Sequence, residues 1–283
     1  MRDTVTQAVT NAFSIDVEDY FHVEALSSAI DRSRWDSLEY RAEANTRRVL
    51  EILAQERIRA TFFVLGWVAK RSPDLVREIH AAGHEVACHG LTHRTVYTQT
   101  REVFRAETSE AKQRLEDATG APVRGYRAAT YSITNASLWA LDILAELGFR
   151  YDSSIFPIRH DLYGIPGSPR FAYRVASGAL LEVPITTVQV LGQRLPAGGG
   201  GYFRLLPYAL FRAAVRRVNE HDCQAAVFYC HPWEIDPGQP RVAGVSAKSR
   251  FRHYTNLGRM EGRLQRLLRD FRWGRIDEVF GVA

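Results

Sequence analysis

Apolar and polar residues alternate along the chain in blocks that predict strands and helices in turn. Short apolar runs rich in β-branched and aromatic residues, such as residues 60–65, are typical of buried strands. Longer segments with apolar residues at helical spacing lie between them, for example residues 101–119, which end at Gly120. Other strands are predicted at residues 9–16, 84–89, 123–127, 150–153, 180–184 and 225–231.

The order of these elements predicts an α/β fold. Strand and helix units repeat roughly every 25 to 40 residues, which indicates βα units and a parallel sheet. Six or seven strands favour a barrel or a barrel-like closure over an open sheet. We interpret residues 1–283 as a single domain, since the chain shows no internal repeat and one α/β barrel often has this length.

Composition narrows the class of protein. Hydrophobic residues make up 46% of the chain and charged residues 24%, which is typical of a globular protein. The chain lacks an apolar run of the ~18 residues that a membrane span needs, and its first residues do not resemble a secretory signal. Its three cysteines are too few for a disulfide framework. These features predict a cytoplasmic protein with reduced thiols.

The charge is unevenly distributed. Residues 241–275 hold nine arginines and one lysine against Glu261 and Asp270, whereas the whole chain carries a net +5. A basic C-terminal segment, about residues 241–283, therefore follows an acidic body. We expect residues 258–271 to form a helix that packs its apolar side on the barrel and turns its arginines outward. This surface predicts peripheral contact with an anionic membrane or a lipid-linked glycan; the alternative is a solvated face that only keeps the protein soluble. We do not expect nucleic acid as a partner, because no zinc-finger, RNP or basic-zipper pattern accompanies the charge.

Candidate chemistry gathers where the predicted strands end. In a parallel barrel, all the carboxyl ends of the strands open on one face, and active sites lie there. The polar residues at or just after these strand ends are Asp16, Glu18, Asp19, His89, His93, Arg127, Asp152 and His231.

Two of these residues predict a metal site. His89 and His93 are spaced i, i+4, so they can bind one metal if the backbone turns helically between them. A carboxylate from the first strand completes a two-histidine, one-carboxylate set. Such a set leaves positions open for water and substrate, as a hydrolytic metal requires.

The combined motifs resemble the NodB-homology domain of carbohydrate esterase family 4, the polysaccharide deacetylases. The resemblance covers nearly the whole chain, and within the family it is to the branch associated with exosortase and exopolysaccharide gene clusters. The segments that carry it are residues 16–22, 60–69, 73–79, 83–86, 89–93, 151–157, 229–234 and 251–254.

The resemblance implies a distorted (β/α)7-type barrel, a divalent metal that is usually Zn²⁺, and removal of acetyl groups from N-acetylated sugars. His89 and His93 match the family's metal ligands. Asp16 matches the catalytic base, Arg127 the arginine that orients it, and His231 the general acid.

The sequence departs from the family pattern at two places. The family's first motif has two adjacent aspartates, a base and a metal ligand, whereas here the cluster reads Asp16-Val17-Glu18-Asp19. We predict Asp16 as the base and Asp19 as the ligand. Other alignments of residues 16–19 with the family's two aspartates make Glu18 either the metal ligand or the base. Ala129 also stands where the arginine motif normally has a proline.

Further residues are predicted to contact substrate. A backbone N–H near Thr130 or Tyr131 is a candidate for stabilising the oxyanion. Asp152 is a candidate for supporting catalysis, and Trp233, just after His231, for stacking on a sugar ring.

We therefore predict a metal-dependent hydrolase that removes N-acetyl groups from an exopolysaccharide or its lipid-linked precursor. Two alternative functions on the same fold are hydrolysis of a sugar O-acetyl ester and hydrolysis of a small cyclic amide. A third is a non-catalytic carbohydrate-binding barrel, which is disfavoured because a decayed site is expected to lose some of these residues.

Overall fold

The computed structural model describes residues 9–283, in which strands and helices alternate as predicted. The strands are β1 (Thr10–Val17), β2 (Thr61–Val64), β3 (Glu85–Cys88), β4 (Gly125–Tyr126), β5 (Tyr151–Asp152), β6 (Tyr173–Val175), β7 (Leu180–Glu182), β8 (Thr187–Val190), β9 (Gln193–Pro196), β10 (Val227–Cys230) and β11 (Arg272–Gly274). The α-helices are α1 (Ala42–Gln55), α2 (Gly66–Arg71), α3 (Pro73–Ala81), α4 (Arg101–Thr119), α5 (Trp139–Glu146), α6 (Gly200–Leu205), α7 (Tyr208–Glu220), α8 (Ala247–Tyr254), α9 (Leu257–Asp270) and α10 (Ile276–Val279).

Parallel strands form one curled sheet in the order β10-β1-β2-β3-β4-β5-β7. Strand β6 adds an antiparallel edge to β7, and β11 pairs with the first residues of β1. Strands β8 and β9 form a separate antiparallel hairpin. The predicted α/β fold with a distorted barrel is confirmed.

Irregular backbone bridges the two ends of the curled sheet. The N–H of Thr186 donates to the carbonyl of Val227 at 3.4 Å, and the N–H of Tyr229 donates to the carbonyl of Gly198 at 2.7 Å. A Cβ at Gly198 would lie 2.5 Å from the carbonyl oxygen of Val227. The start of the glycine run 198–201 therefore lets the chain pass close enough to β10 to bond with it.

The central strands are apolar on both faces because each face packs against a different layer. Alternate side chains of a strand point to opposite sides. Phe62 and Val64 of β2 belong to the core beneath the helices, whereas Phe63 packs inside the barrel with Ala87 of β3 and Tyr151 of β5. This arrangement explains the continuous apolar runs in the sequence.

The start of helix α1 is held by a contact that is distant in sequence. Asparagine often caps a helix, but α1 starts at Ala42, before Asn45. The backbone N–H groups of Arg41 and Ala42 donate to the carboxylate of Asp19, which lies far away in sequence, at 2.6 and 2.7 Å. Asn45 instead donates to Asp236 at 3.1 Å. A tertiary contact therefore replaces the local cap.

The basic C-terminal helix has the two faces that the sequence predicts. The apolar side of α9 is buried, and Arg259, Arg266 and Arg269 are exposed, whereas Arg263 is half-buried. Arg263 donates to three carbonyls around the end of α6, Arg269 pairs with Glu56 at 2.6 Å, and the guanidinium of Arg266 lies 4.4 Å from the ring centre of Tyr208. The predicted outward positive surface is therefore present, although Arg263 and Arg269 also have partners within the protein, and contact with anionic lipid stays a prediction. Within residues 9–283, no helix combines the length and apolarity needed to cross a membrane.

A buried carboxyl group lies at the end of the barrel opposite to the strand ends described above. Glu85 opens β3, where its oxygens accept hydrogen bonds from Thr61 Oγ1 at 2.5 Å and Tyr151 Oη at 2.8 Å. Burial, together with the nearby charge of Asp277, raises the pKa of Glu85 to about 8. The folded protein therefore holds a proton at Glu85 at neutral pH.

This proton predicts a pH dependence of stability. The pKa of Glu85 is raised in the folded state, so its contribution is fully present below its unfolded pKa of about 4.5 and is lost as the pH rises through about 8. Over this window the wild type should lose about 1.4 kcal/mol of unfolding free energy per pH unit more than Glu85→Gln does. Urea denaturation at several pH values measures the difference, and parallel pH profiles for the two proteins would contradict the prediction.

Candidate active site

The ends of β1, β3 and β10 converge on one cleft of about 340 Å³. Asp16 lies near the end of β1 and Glu18 directly follows that strand, His89 follows β3, and His231 follows β10. Because the strands are parallel, their carboxyl ends meet on one face of the sheet. His93 also lines the cleft, so most of the sequence-predicted site residues come together here.

Three buried side chains form a cluster that could hold a metal. Within residues 9–283, Glu18, His89 and His93 place one ligand atom each within 4.8 Å of one another. Glu18 Oε2 lies 2.8 Å from His93 Nε2. His89 Nδ1 lies 2.8 Å from the carbonyl oxygen of Arg127, so Nδ1 carries the proton and Nε2 keeps its lone pair. A histidine whose other nitrogen is held by a carbonyl is the usual form of a metal ligand.

Backbone geometry turns the second histidine towards the first. Gly90 has a φ of 78°, and His93 itself has a φ of 51°, which a non-glycine residue rarely adopts. Arg32 Nη2 donates to the carbonyl of His93 at 3.1 Å and thereby helps hold this conformation. The left-handed residues let the loop fold back on β3.

Asp19, the predicted metal ligand, does not belong to the cluster. Its Oδ1 accepts from the N–H of Tyr20 at 2.8 Å, and its Oδ2 accepts from the two N–H groups at the start of α1. Burial raises the pKa of Asp19 to about 6, although these hydrogen bonds act against the rise. The carboxylate that faces His89 and His93 belongs to Glu18, the alternative left open by the sequence.

Asp16, the predicted base, is held by a buried arginine. Arg127 Nη1 donates to Asp16 Oδ1 at 2.6 Å and to Ser14 Oγ at 2.8 Å. Burial alone would lower the pKa of Arg127, but the charge of Asp16, its hydrogen bond to Arg127 and the nearby Tyr131 together raise that pKa. One oxygen of Asp16 is therefore fixed by a permanent cation, and Oδ2 faces His231 Nε2 at 4.0 Å.

His231, the predicted acid, lies between two carboxylates. Its Nε2 is 3.4 Å from Glu18 Oε1, and its Nδ1 is 3.7 Å from Glu234 Oε2. Burial would lower the pKa of His231, but Glu18, Glu234 and Asp16 together raise it to about 9. In the same way, burial would raise the pKa of Glu18, but His93 and His231 hold it far below its ordinary value.

Glu234 and Arg204 are site residues that the sequence analysis missed. Glu234 is buried, and its Oε1 pairs with Arg204 Nε at 3.2 Å. Its Oε2 accepts from the backbone N–H of His231 at 3.2 Å, so Glu234 contacts both the backbone and the ring of that histidine. The spacing of three residues between His231 and Glu234 was a usable signal. Nothing in the sequence around Arg204 indicates that it pairs with Glu234.

The predicted sugar platform, Trp233, has a different role in the structure. Its side chain is buried, and its Nε1 donates to Glu18 Oε1 at 3.1 Å. Its ring is stacked between His231 and His253, with ring centres 5.1 and 4.3 Å apart. The face of the indole is therefore occupied by protein, and Trp233 orients Glu18 and His231 instead.

The predicted oxyanion turn lines the cleft. Thr130 and Tyr131 both have positive φ values, 55° and 51°. The N–H of Tyr131 donates to the carbonyl of Ala128 at 3.1 Å, whereas within residues 9–283 the N–H of Thr130 has no acceptor. Thr130 is therefore the better of the two candidates for an oxyanion donor.

Asp152 does not reach the cleft. It is fully buried, and its Oδ1 accepts from Ser154 Oγ at 2.5 Å. The prediction that Asp152 contacts substrate therefore disagrees with the structure, because the neighbouring loop covers its carboxyl group.

Comparison with known proteins gives two family matches that divide the chain. Residues 34–151 match the model of polysaccharide deacetylases, and residues 153–281 match a domain of unknown function, DUF3473. The deacetylase match contains His89, His93 and Arg127, while the second match contains His231. Asp16 and Glu18 lie outside both.

A chitooligosaccharide deacetylase from Rhizobium leguminosarum bv. trifolii is 35% identical over 101 residues. These residues make up 36% of this chain and 44% of that protein, so the match spans less than half of the relative. A solved candidate polysaccharide deacetylase from Mycobacterium smegmatis has a TM-score of 0.63 at 20% identity, covering 98% of this chain and 90% of that one. The PuuE allantoinase has a TM-score of 0.61 at 15% identity, and the match covers 96% of this chain and 88% of that one. At these identities the structures establish the fold alone.

The cluster predicts which carboxylate a metal requires. Glu18→Gln should lose bound divalent metal, because it removes the only anionic member of the cluster. Asp19→Asn should keep the metal but lower stability by about 1–3 kcal/mol, because it weakens three backbone hydrogen bonds. Elemental analysis of the purified proteins, together with urea denaturation, tests both. Metal loss in Asp19→Asn with full occupancy in Glu18→Gln would reverse the assignment.

Proposed function

We propose that the chain hydrolyses N-acetyl groups of a glycan, because residues 34–151 match the model of polysaccharide deacetylases. The observation that carries this proposal is the arrangement of the cleft. Glu18, His89 and His93 form a cluster of two histidines and a carboxylate. On one side of the cluster lies Asp16, which is held by Arg127, and on the other lies the half-buried His231. Amide hydrolysis needs a metal-activated water, a base and an acid.

The donor set fits zinc. Two imidazole nitrogens and one carboxylate oxygen are the ligands of many catalytic zinc sites, and they leave a position for water. Glu18, His89 and His93 would hold the ion, and His93 Nδ1 is buried without a hydrogen-bond partner among the described residues. Zinc bound there would lower the pKa of a water molecule and polarise the acetyl carbonyl.

The chain's own residues supply the proton transfers. Asp16 Oδ2, which is not held by Arg127, accepts a proton from the attacking water as the new C–O bond forms. The N–H of Thr130 stabilises the charge that develops on the acetyl oxygen. His231 Nε2 then donates a proton to the amide nitrogen as the C–N bond breaks. The products are acetate and a free amino sugar.

The substrate we propose is an N-acetylated exopolysaccharide or its lipid-linked precursor, processed in the cytoplasm. The outer part of the cleft supports a large and partly apolar substrate. Exposed Phe251, Leu162 and Leu205 line it together with Arg252. Apolar side chains exposed beside a catalytic cleft favour sugar faces or a hydrophobic aglycone, and a guanidinium suits an anionic group.

Acetate release tests the activity. The zinc-loaded protein should release acetate from N-acetylglucosamine oligomers and more slowly from an O-acetylated oligosaccharide. Acetate from the O-acetylated substrate alone would favour the esterase alternative. Its absence from both, in a protein with full metal occupancy, would refute the deacetylase assignment.

The acid is tested by one substitution. His231→Ala should lower kcat by roughly 10²–10⁴-fold, which is typical of the loss of a positioned acid or base, while the metal content stays unchanged. His80→Ala, an exposed histidine on α3, is the matched control and should leave kcat unchanged. Equal kcat values for His231→Ala and the control would remove His231 from the mechanism.

A further inference from the structure

A pair of carboxyl groups that the proposed mechanism does not use lies beneath the site. Asp152 ends β5 and Glu182 ends β7, and the two residues are register partners on these adjacent parallel strands. Both side chains are fully buried. Register partners on neighbouring strands point to the same face of the sheet, so the two carboxyl groups meet in a space without solvent.

One oxygen of each carboxyl group is already bonded. Asp152 Oδ1 accepts from Ser154 Oγ at 2.5 Å, and Glu182 Oε1 accepts from the N–H of Ile155 at 2.9 Å. Asp152 Oδ2 and Glu182 Oε2 are buried and have no donor among the described residues. Two buried carboxylates cannot both be ionised side by side, but one proton between the two free oxygens satisfies both.

The loop that this pair holds also contacts Arg127, the arginine that orients the proposed base Asp16. Arg127 Nε donates to the carbonyl of Ser153 at 3.1 Å, and its Nη2 donates to Ser153 Oγ at 2.9 Å. Ser154 Oγ, which donates to Asp152, accepts from the N–H of Ala128 at 2.8 Å. Residues 153–155 therefore connect the carboxyl pair to Arg127 and to the turn that contains Thr130.

We propose that Asp152 and Glu182 share one proton, and that this hydrogen bond positions Arg127 and the turn at residues 129–131 for catalysis. The catalytic part of the proposal rests on the proposed function. With the proton in place, the pair carries one negative charge and Arg127 remains with Asp16. Loss of the proton would force the carboxylates apart and create a second anion that competes with Asp16 for Arg127.

The electrostatic surroundings agree with a retained proton. Burial raises the pKa of Asp152 to about 6, even though Ser154 and Arg127 act against the rise. Burial and the charge of Asp152 raise the pKa of Glu182 further still. The groups that face the pair from other strands are Arg127, Tyr126 of β4 and Tyr173 of β6. Of these, only Arg127 carries a charge at neutral pH.

Amide substitutions test the shared proton through its geometry. In Glu182→Gln, the amide N–H₂ donates to Asp152 Oδ2 and the amide oxygen still accepts from Ile155. In Asp152→Asn, the amide N–H₂ donates to Glu182 Oε2, and the amide oxygen still accepts from Ser154 Oγ. Each single variant should therefore keep kcat near the wild-type value. The double variant places two N–H₂ groups against each other and should lose about 10²-fold in kcat, the scale of a misplacement near 1 Å, with KM little changed.

Glu182→Ala should show the same loss in kcat as the double variant, because it removes the hydrogen bond to Asp152. Glu182→Gln keeps that hydrogen bond and should therefore restore kcat. A double variant as active as wild type, or a Glu182→Gln variant as impaired as Glu182→Ala, would overturn the positioning role. If Glu182→Ala does not fold, the single and double amide variants still decide between these outcomes.

Infrared spectroscopy gives a readout that does not depend on activity. The wild type at neutral pH should show the band of a protonated carboxyl group that Glu182→Gln removes. Glu85→Gln is the matched control, since it should remove a different carboxyl band and leave kcat unchanged. A spectrum in which Glu182→Gln removes no such band would refute the shared proton. If no variant releases acetate, the proposed function fails and the catalytic role fails with it, whereas the infrared result stands.

Discussion

The buried guanidinium of Arg127 connects the parts of this site. Removing a cation from water costs several kcal/mol, so the group must be fully satisfied by its surroundings. It donates to Ser14 and Asp16 of β1 and to Ser153 after β5, while the backbone carbonyl of Arg127 accepts from His89. The ends of β1, β3 and β5 are thereby tied together by one residue that follows β4. The positions of the candidate base and of a candidate metal ligand are therefore coupled.

The protein divides its buried carboxyl groups into two kinds. Glu18 faces His93 and His231, which hold its pKa far below its ordinary value, and Asp16 pairs with Arg127. Asp152, Glu182 and Glu85 lie away from the cleft, where burial favours the protonated form. One environment provides anions for a metal and for proton transfer, whereas the other provides neutral hydrogen bonds that hold strands together.

The segment of unknown function completes this arrangement. His231, Glu234 and Arg204 all lie within residues 153–281, and β10 from that segment pairs directly with β1. The remaining cluster ligands, His89 and His93, come from the deacetylase segment. Both segments contribute strands to one sheet, so the cleft depends on residues from each.

The sequence predicts the parts of the site that follow from strand ends. Parallel strands bring Asp16, His89 and His231 to one face whatever the details of the loops. The choice between Glu18 and Asp19 depends instead on the start of α1, whose unpaired N–H groups take the carboxylate of Asp19. A contact between segments far apart in sequence leaves no trace in local spacing.

The same limit explains the other differences. Trp233 is a good candidate for a sugar platform by its position, but its indole face is covered by His253, which belongs to a later helix. Arg263 of α9 has the spacing of the exposed basic face, yet it is half-buried and donates to carbonyls around the end of α6. Strand positions follow from local pattern, whereas partners of long polar side chains follow from packing.

The central claim is that Glu18, His89 and His93 hold the metal that the chemistry requires. Anomalous X-ray scattering at the zinc absorption edge, from crystals of the full chain grown with zinc, tests it most directly. The account predicts one strong peak in the cleft, in contact with Glu18, His89 and His93 and next to Asp16. A peak on Asp19, or an empty cleft with zinc bound elsewhere, would contradict it.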